Sequence, residues 1–458
     1  MKKRFSILLA AVLLLTACSK IPVPSLTVPA ETAPVKAEYA DGVIGGDAFY
    51  GSRKEAAATC AVYAADGVPA PMPEAEYSYF GENGPAPAAG LLTAREWCDR
   101  KDLSEFRKFL AEQQDILTAR ALSFGSFVEI KGLPALAKVQ ILGGQTVLAE
   151  GVSDVNGHLM LAAAEDADRD GLVLAVNGQE QTRFSTRKGE LTLLTVEEGG
   201  TQTAAVKELD FMLMVDTTGS MGDELEYLKK ELENVIEAVY RLNPALSIRT
   251  SVNFYRDEGD EYVVKYYDFR EDVQEAVALI EAQHSSGGGD YPEAVHTALD
   301  NAVFGHSWRE GAVKLCYLVL DAPPHHDGDY ADVQDPDAQT RKRLENINAS
   351  LKASVAGAAA AGIRIIPVVA SGADKDLETL GRSWAFLTGG TYIYLTNDSG
   401  IGSWHETPEV PETELEYLND CMIRVTAEYC GLSYQAERHP QPSERQREEV
   451  PDYRPIKE

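Results

Sequence analysis

The six cysteines form no C-x-x-C pair, and the chain has no G-x-x-x-x-G-K-S/T loop, no H-E-x-x-H and no G-x-S-x-G. These absences argue against a zinc ribbon or thioredoxin-type site, a P-loop for nucleotides, a zincin and a hydrolase elbow. The reading is therefore of a non-enzyme that binds no nucleotide. Positive charge is also scarce: 42 Lys and Arg face 72 Asp and Glu, for a formal charge of −30. Such a chain repels phosphate backbones, which argues against nucleic acid as a partner. No later stretch approaches the ~20 apolar residues that a bilayer-spanning helix needs.

The N-terminus carries what positive charge there is in its region: Lys2, Lys3 and Arg4, followed by the apolar run Ile7 to Leu15. That run is too short to span a membrane and reads as a signal-peptide core. Leu15-Thr16-Ala17-Cys18 resembles the lipobox of bacterial lipoproteins. The resemblance implies a signal peptide over 1–17 and acylation of Cys18; an ordinary signal with a chance cysteine is the alternative. Ser19 resembles an outer-membrane address if the cell is Gram-negative. The expected location is the bacterial cell envelope, outside the cytoplasm, with the membrane held through the lipid anchor. Pro22, Pro24, Pro29 and Pro34 make residues 18–40 an extended tether. That compartment permits disulfides. Cys60 with Cys98 and Cys421 with Cys430 are candidate pairs, while Cys316 sits in an apolar run and reads as a buried thiol.

Residues 41–125 have no assignable fold beyond one helix, Ser104 to about Leu122, with Ser104 as its N-cap. Over 126–200, seven short apolar runs alternate with turns, Gly143-Gly144 and Asn156-Gly157 being hairpin signals. This pattern predicts a small all-β sandwich. The stretch Gly151 to Gly157 resembles a turn of carboxypeptidase-regulatory-like and Ig-like modules. Asp166, Asp168 and Asp170 resemble half of a calcium loop, but its twelfth position is Asn177 where a bidentate Glu is needed. An acidic turn is the preferred reading.

From 205 to 430 strand and helix alternate, which predicts an α/β domain with a doubly wound, mostly parallel, Rossmann-like sheet. Residues 431–458 read as a disordered tail. In such sheets ligands bind beyond the carboxyl ends of the strands. Three loops leave those ends or face them: Asp216-Thr217-Thr218-Gly219-Ser220, Gly287-Gly288-Gly289-Asp290-Tyr291-Pro292-Glu293, and Asp321-Ala322-Pro323-Pro324. They offer carboxylates and hydroxyls, hard donors suited to Mg²⁺, with Mn²⁺ or Ca²⁺ as alternatives.

This constellation resembles the metal-ion-dependent adhesion site of von Willebrand factor A domains. The Gly-Gly-Gly-Asp-x-Pro-Glu form resembles the hemicentin-like and alpha-kinase-associated subgroup. The resemblance implies metal binding by Asp216, Thr218, Ser220, Asp290 and Asp321. It also implies a free coordination position that a partner's Glu or Asp carboxylate fills. Asp290 stands where many members have Thr, so three carboxylates would leave the occupied site near −1 and weaken its pull on an anionic partner. Arg256, Asp257 and His325 are candidates for a supporting or ligand-contacting role, with Arg256 and Asp257 read as a possible ion pair. For the His325-His326 stretch a solvated polar insertion is the preferred reading. The expected function is metal-dependent binding of a protein or glycan. The alternatives are an envelope assembly protein with a structural metal, or a non-catalytic subunit of a larger machine.

Overall fold

The computed structural model describes residues 41–45, 86–164, 167–196, 206–289, 291–325, 338–402, 405, 407–411 and 413–434. The signal, Cys18, the tether, Cys60, Asp166, Asp290, His326 and the tail beyond 434 lie outside them. The described part is mixed α/β, with eight helices and one nine-stranded mixed sheet.

Five parallel strands form the centre of that sheet. From the N-terminal segment come β1 (Gly42–Ile44), β2 (Thr93–Trp97), α1 (Leu103–Glu112) and α2 (Gln114–Ala119). Seven short strands follow: β3 (Phe127–Lys131), β4 (Lys138–Gly143), β5 (Thr146–Val152), β6 (Leu159–Ala162), β7 (Arg169–Val176), β8 (Gln179–Thr186) and β9 (Leu191–Thr195). Then come β10 (Glu208–Asp216), α3 (Leu225–Leu242), β11 (Ser247–Tyr255), β12 (Val264–Tyr266), α4 (Val273–Glu281) and α5 (Val295–Phe304). The chain closes with β13 (Val313–Leu320), α6 (Ala338–Ala361), β14 (Ile363–Val369), α7 (Lys375–Thr388), β15 (Tyr392–Leu395), β16 (Glu416–Tyr417) and α8 (Leu418–Tyr429).

The large sheet runs β1-β12-β11-β10-β13-β14-β15-β2-β16. Strands β11, β10, β13, β14 and β15 are parallel, and the flanking pairs are antiparallel. Strand β10 is apolar without a break from Phe211 to Val215, where both of its faces are buried. Leu209, Phe211, Leu213 and Val215 join a core with residues of α3, α4 and α8. Met212 and Met214 join a second core with residues of α5, α6 and α7. On α3, Leu225, Leu228, Leu232, Val235, Ile236 and Val239 recur at helical spacing, and all are buried. Asp374 caps α7 by accepting from the Leu377 amide at 2.9 Å, and Gly389 ends it at φ 75°.

The edges differ from the sequence expectation. Strand β2 is inserted between β15 and β16, and β1 pairs with β12, so segment 41–125 completes the large sheet. Buried Glu231 on α3 secures the approach to β2, accepting from the amides of Gly90, Leu91 and Leu92 at 2.8–2.9 Å. The expected 104–122 helix is two helices broken at Gln113, and its cap is Asp102, which accepts from the Glu105 amide. The last helix starts at Leu418, since Glu416 and Tyr417 pair with β2.

All seven strands expected within 126–200 are present, in a three-stranded sheet β6-β3-β9 and a four-stranded sheet β5-β4-β7-β8. Both contribute to one apolar cluster that includes Val128, Ile130, Val139, Ile141, Leu159 and Leu174. Gly143-Gly144 joins a hairpin as expected, whereas Asn156-Gly157 does not, because β5 and β6 belong to different sheets. The pairing is not wholly antiparallel: β3 and β9 run parallel. Asn177-Gly178, both at positive φ, is the turn of the β7–β8 hairpin. Asp170 pairs with Arg187 and Asp168 accepts from the Lys188 amide, as an acidic turn would. Cys98, Cys316, Cys421 and Cys430 are buried free thiols. Cys421 and Cys430 are nine helical positions apart, about 13 Å of rise and on opposite faces, which rules out the expected bridge. No described helix is long and apolar enough to cross a membrane.

Candidate metal centre

The three loops singled out in the sequence meet at the C-terminal edge of the parallel strands, tied together by backbone hydrogen bonds. The Gly219 amide donates to the Gly287 carbonyl at 3.0 Å, and the Ser286 amide to Thr217 at 3.1 Å. The Glu293 amide donates to the Pro323 carbonyl at 2.9 Å. Glycine is required where the first two loops touch. A Cβ on Gly219 would lie 2.8 Å from the Gly287 carbonyl oxygen, and Gly288 holds φ +71° beside Thr218 and Glu293.

Asp216 ends β10 and is fully buried. Its Oδ1 accepts from the Thr218 amide at 2.8 Å and from the Thr218 hydroxyl at 2.7 Å. The Thr218 and Ser220 hydroxyls are 3.2 Å apart. Asp321, leaving β13, is buried beside them. Three carboxylate oxygens, Asp216 Oδ2, Asp321 Oδ1 and Glu293 Oε2, are buried without a hydrogen-bond partner among the described residues. That state is costly unless a proton or a cation compensates. Burial pushes the Asp216 carboxyl up to about 6 against the pull of Thr218. Burial, then the charges of Asp216, Asp257 and Asp321, pushes Glu293 up to about 11. Burial and Asp216 raise Asp321 well above the carboxylate range, with the Ser220 hydroxyl opposing.

Thus Asp216, Thr218, Ser220 and Asp321 come together as expected, while Asp290 lies outside the described residues. Glu293 was not singled out, although it closes the glycine motif. Helix α5 begins only at Val295, which leaves Glu293 in the loop. Arg256 and Asp257 do not pair. Arg256 stacks 4.6 Å from the Tyr262 ring centroid, donates to the carbonyls of Thr217 and His284, and has Glu261 at 3.7 Å. Asp257 instead meets His325 Nε2 at 2.8 Å. His325 is buried, which corrects the solvated-insertion reading at that position. Arg120, at the end of α2, donates to the carbonyls of Pro324 and His325 at 2.9 Å and pairs with Asp376. It braces the third loop from a segment that had no assigned role.

Among the described residues no three His, Cys, Asp or Glu side chains form a metal cluster by themselves. A cation here would rely on the Thr218 and Ser220 hydroxyls as well. The donors are all oxygens, which fits a hard divalent ion. Ser220 and Gly287 to Gly289 are exposed, so one side of the cluster faces solvent.

No family model matches the chain. Part of it is similar to a putative ariadne-like RING finger protein of Acanthamoeba polyphaga mimivirus, 31% identical over 121 residues, 26% of this chain and 11% of that protein. Part is similar to the alpha-protein kinase vwkA of Dictyostelium discoideum, 23% identical over 158 residues, 34% of this chain and 24% of that protein. The chain spans at most about a quarter of the length of these curated relatives.

Proposed function

We propose that the chain is a lipid-anchored envelope protein whose von Willebrand factor A-type domain binds a protein or glycan through a divalent ion. The observation that carries this reading is the trio of buried carboxylate oxygens on Asp216, Glu293 and Asp321, without a hydrogen-bond partner among the described residues, beside two hydroxyls. A divalent ion supplies the positive charge that this cluster lacks. Asp216, Thr218, Ser220 and Asp321 would hold it, with Asp290 from the middle loop. Glu293 holds a proton or shares the ion's charge, and Arg256, Asp257, His325 and Arg120 keep the loops in place. The exposed Ser220 and glycine side leaves room for a partner's carboxylate.

The alternating helices over two faces of the sheet support the doubly wound A-type fold. The two small sheets around one core support a sandwich module before it. The partial match to an alpha-protein kinase supports the resemblance to the alpha-kinase-associated subgroup. Mg²⁺ is the favoured ion, with Mn²⁺ and Ca²⁺ as alternatives, and no enzymatic role is assigned. Envelope location rests on the Lys2-to-Cys18 segment.

The test is calorimetry of the intact chain with Mg²⁺, Mn²⁺ and Ca²⁺, then capture of cell-surface partners with and without EDTA. Saturable one-site heat that Asp216→Asn abolishes, and partner binding lost in EDTA, are expected. No heat from any of the ions rejects the metal site. Heat with EDTA-resistant binding leaves a structural ion in an assembly protein.

A further inference from the structure

A second site of opposite chemistry lies at the other edge of the sheet. Arg364 is the second residue of β14, whereas the metal loops leave the far ends of the strands, roughly 20 Å away along seven residues of strand. A cavity of about 120 Å³ opens there between the end of β2, α8 and the turn after β5, with Arg100, Lys101, Asp154, His158, Glu428 and Tyr429 in its wall. Most charges around it are matched. Lys101 pairs with Glu428 at 3.1 Å, His158 with Glu129 at 2.9 Å, and Glu96 with Arg424 at 3.2 Å.

Two guanidiniums are not matched. Arg100 has no carboxylate at ion-pair distance among the described residues. Its Nη2 donates to the Gly390 carbonyl at 2.9 Å and to the Tyr429 hydroxyl at 3.1 Å, while its Nε is buried with no acceptor among the described residues. Arg364, behind it, is 4% exposed and donates to the carbonyls of Gly389 and Ser153. It packs 5.2 Å from the Tyr429 ring centroid and likewise pairs with no described carboxylate. Cys98 and Tyr429 act on Arg100, and Tyr429 on Arg364, ahead of Asp154, which is the one carboxylate that acts on both. Its Oδ1 is already engaged by the amides of Asn156 and His158, at 2.9 and 2.8 Å. A half-buried guanidinium and a buried one thus share a single carboxylate that lies beyond ion-pair distance of both, so neither has an acidic partner of its own among the described residues. The planar, always-charged guanidinium is the side chain best suited to an oxyanion.

We propose that this cavity binds a small oxyanion of the phosphate, sulfate or carboxylate type, with Arg100 as its direct donor and Arg364 as the charge behind it. The volume admits one tetrahedral anion or a short carboxylate but not a nucleotide. The proposal is independent of the metal reading, and the test is run in EDTA to keep it so.

The intact chain is melted at fixed ionic strength in chloride, sulfate, phosphate and acetate, each titrated through the low millimolar range, with calorimetry alongside. A saturable rise in Tm above the chloride series is expected. In Arg100→Gln the apparent affinity should fall at least about tenfold, the loss expected when a charge-assisted donor is removed. A stronger response to phosphate and sulfate points to a phosphoryl-type ligand, and a stronger response to acetate to a carboxylate. If Arg100→Gln does not fold, saturable heat in the wild type decides the matter. No anion-specific heat in the wild type, or an unchanged response in Arg100→Gln, overturns the proposal.

Discussion

Two aspartates at opposite ends of β10 are equally buried and differently treated. Asp210 accepts four hydrogen bonds: from Arg249 Nε and Arg309 Nε at 3.0 and 2.8 Å on one oxygen, and from Arg249 Nη2 and the Arg309 amide at 2.9 and 2.7 Å on the other. Asp216, six residues on, has Thr218 on one oxygen, while the other, with the Tyr255 hydroxyl in its neighbourhood, has no well-formed hydrogen bond and no cation among the described residues. The same strand thus carries a carboxylate whose needs the fold meets and one whose needs it leaves open. Burial alone does not mark a functional carboxylate; a missing counter-charge does.

Removing each carboxylate should therefore have opposite effects. Asp210→Ala leaves two guanidiniums facing an empty site and should cost about 3–5 kcal/mol of stability, measured by urea unfolding; a loss below about 1 kcal/mol would erase the contrast. Asp216→Asn should leave metal-free stability unchanged or higher. Its affinity for Mg²⁺ should fall by at least about 100-fold, beyond what losing an outer partner costs. Calorimetry reads this directly, and wild-type affinity in the variant would remove Asp216 from the site.

Glu293 sharpens the comparison through pH. Its folded pKa, about 11, is raised above the ordinary 4.5. The stability it contributes is fully present below about pH 4.5 and is lost as pH rises toward the folded value. In EDTA at pH 8, Glu293→Gln should therefore melt above wild type by about 2–4 °C, on the order of 1 kcal/mol. At pH 4 the two should coincide. For the same reason Mg²⁺ should raise the Tm of the wild type more at pH 8 than at pH 5, where Asp216, up at about 6, still holds a proton. A Mg²⁺ gain independent of pH would contradict the open carboxylate cluster. The smallest effect concerns the partner: Asp290→Thr removes a charge and should tighten binding of an acidic ligand, so weaker or unchanged binding by surface plasmon resonance counts against the charge argument.

The legibility of these features followed the range of the interactions behind them. Strands β13 and β14 were the most legible, because a strand buried on both faces is nearly all apolar, and only Lys314 and Arg364 interrupt these two. The loops carrying Asp216 and Asp321 followed, being the residues that leave such strands. Strand β2 could not be read: Thr93–Trp97 carries three polar or charged residues, and its partners lie some 300 positions away. Glu231, which secures its approach, looks in the sequence like any surface glutamate of an amphipathic helix. Arg120 and His325 were likewise invisible as a loop brace and a partner of Asp257, since neither contact leaves a local pattern. Glu293 was within reach: a carboxylate three residues after Asp290 in a glycine-rich turn that never becomes helix.

The most direct test of the account is a crystal grown with Mn²⁺ and measured at the manganese absorption edge. One anomalous peak within about 2–2.5 Å of oxygens from Asp216 or Asp321 and from Ser220, absent from Asp216→Asn crystals, is the predicted result. Well-ordered loops with no peak between them would contradict it.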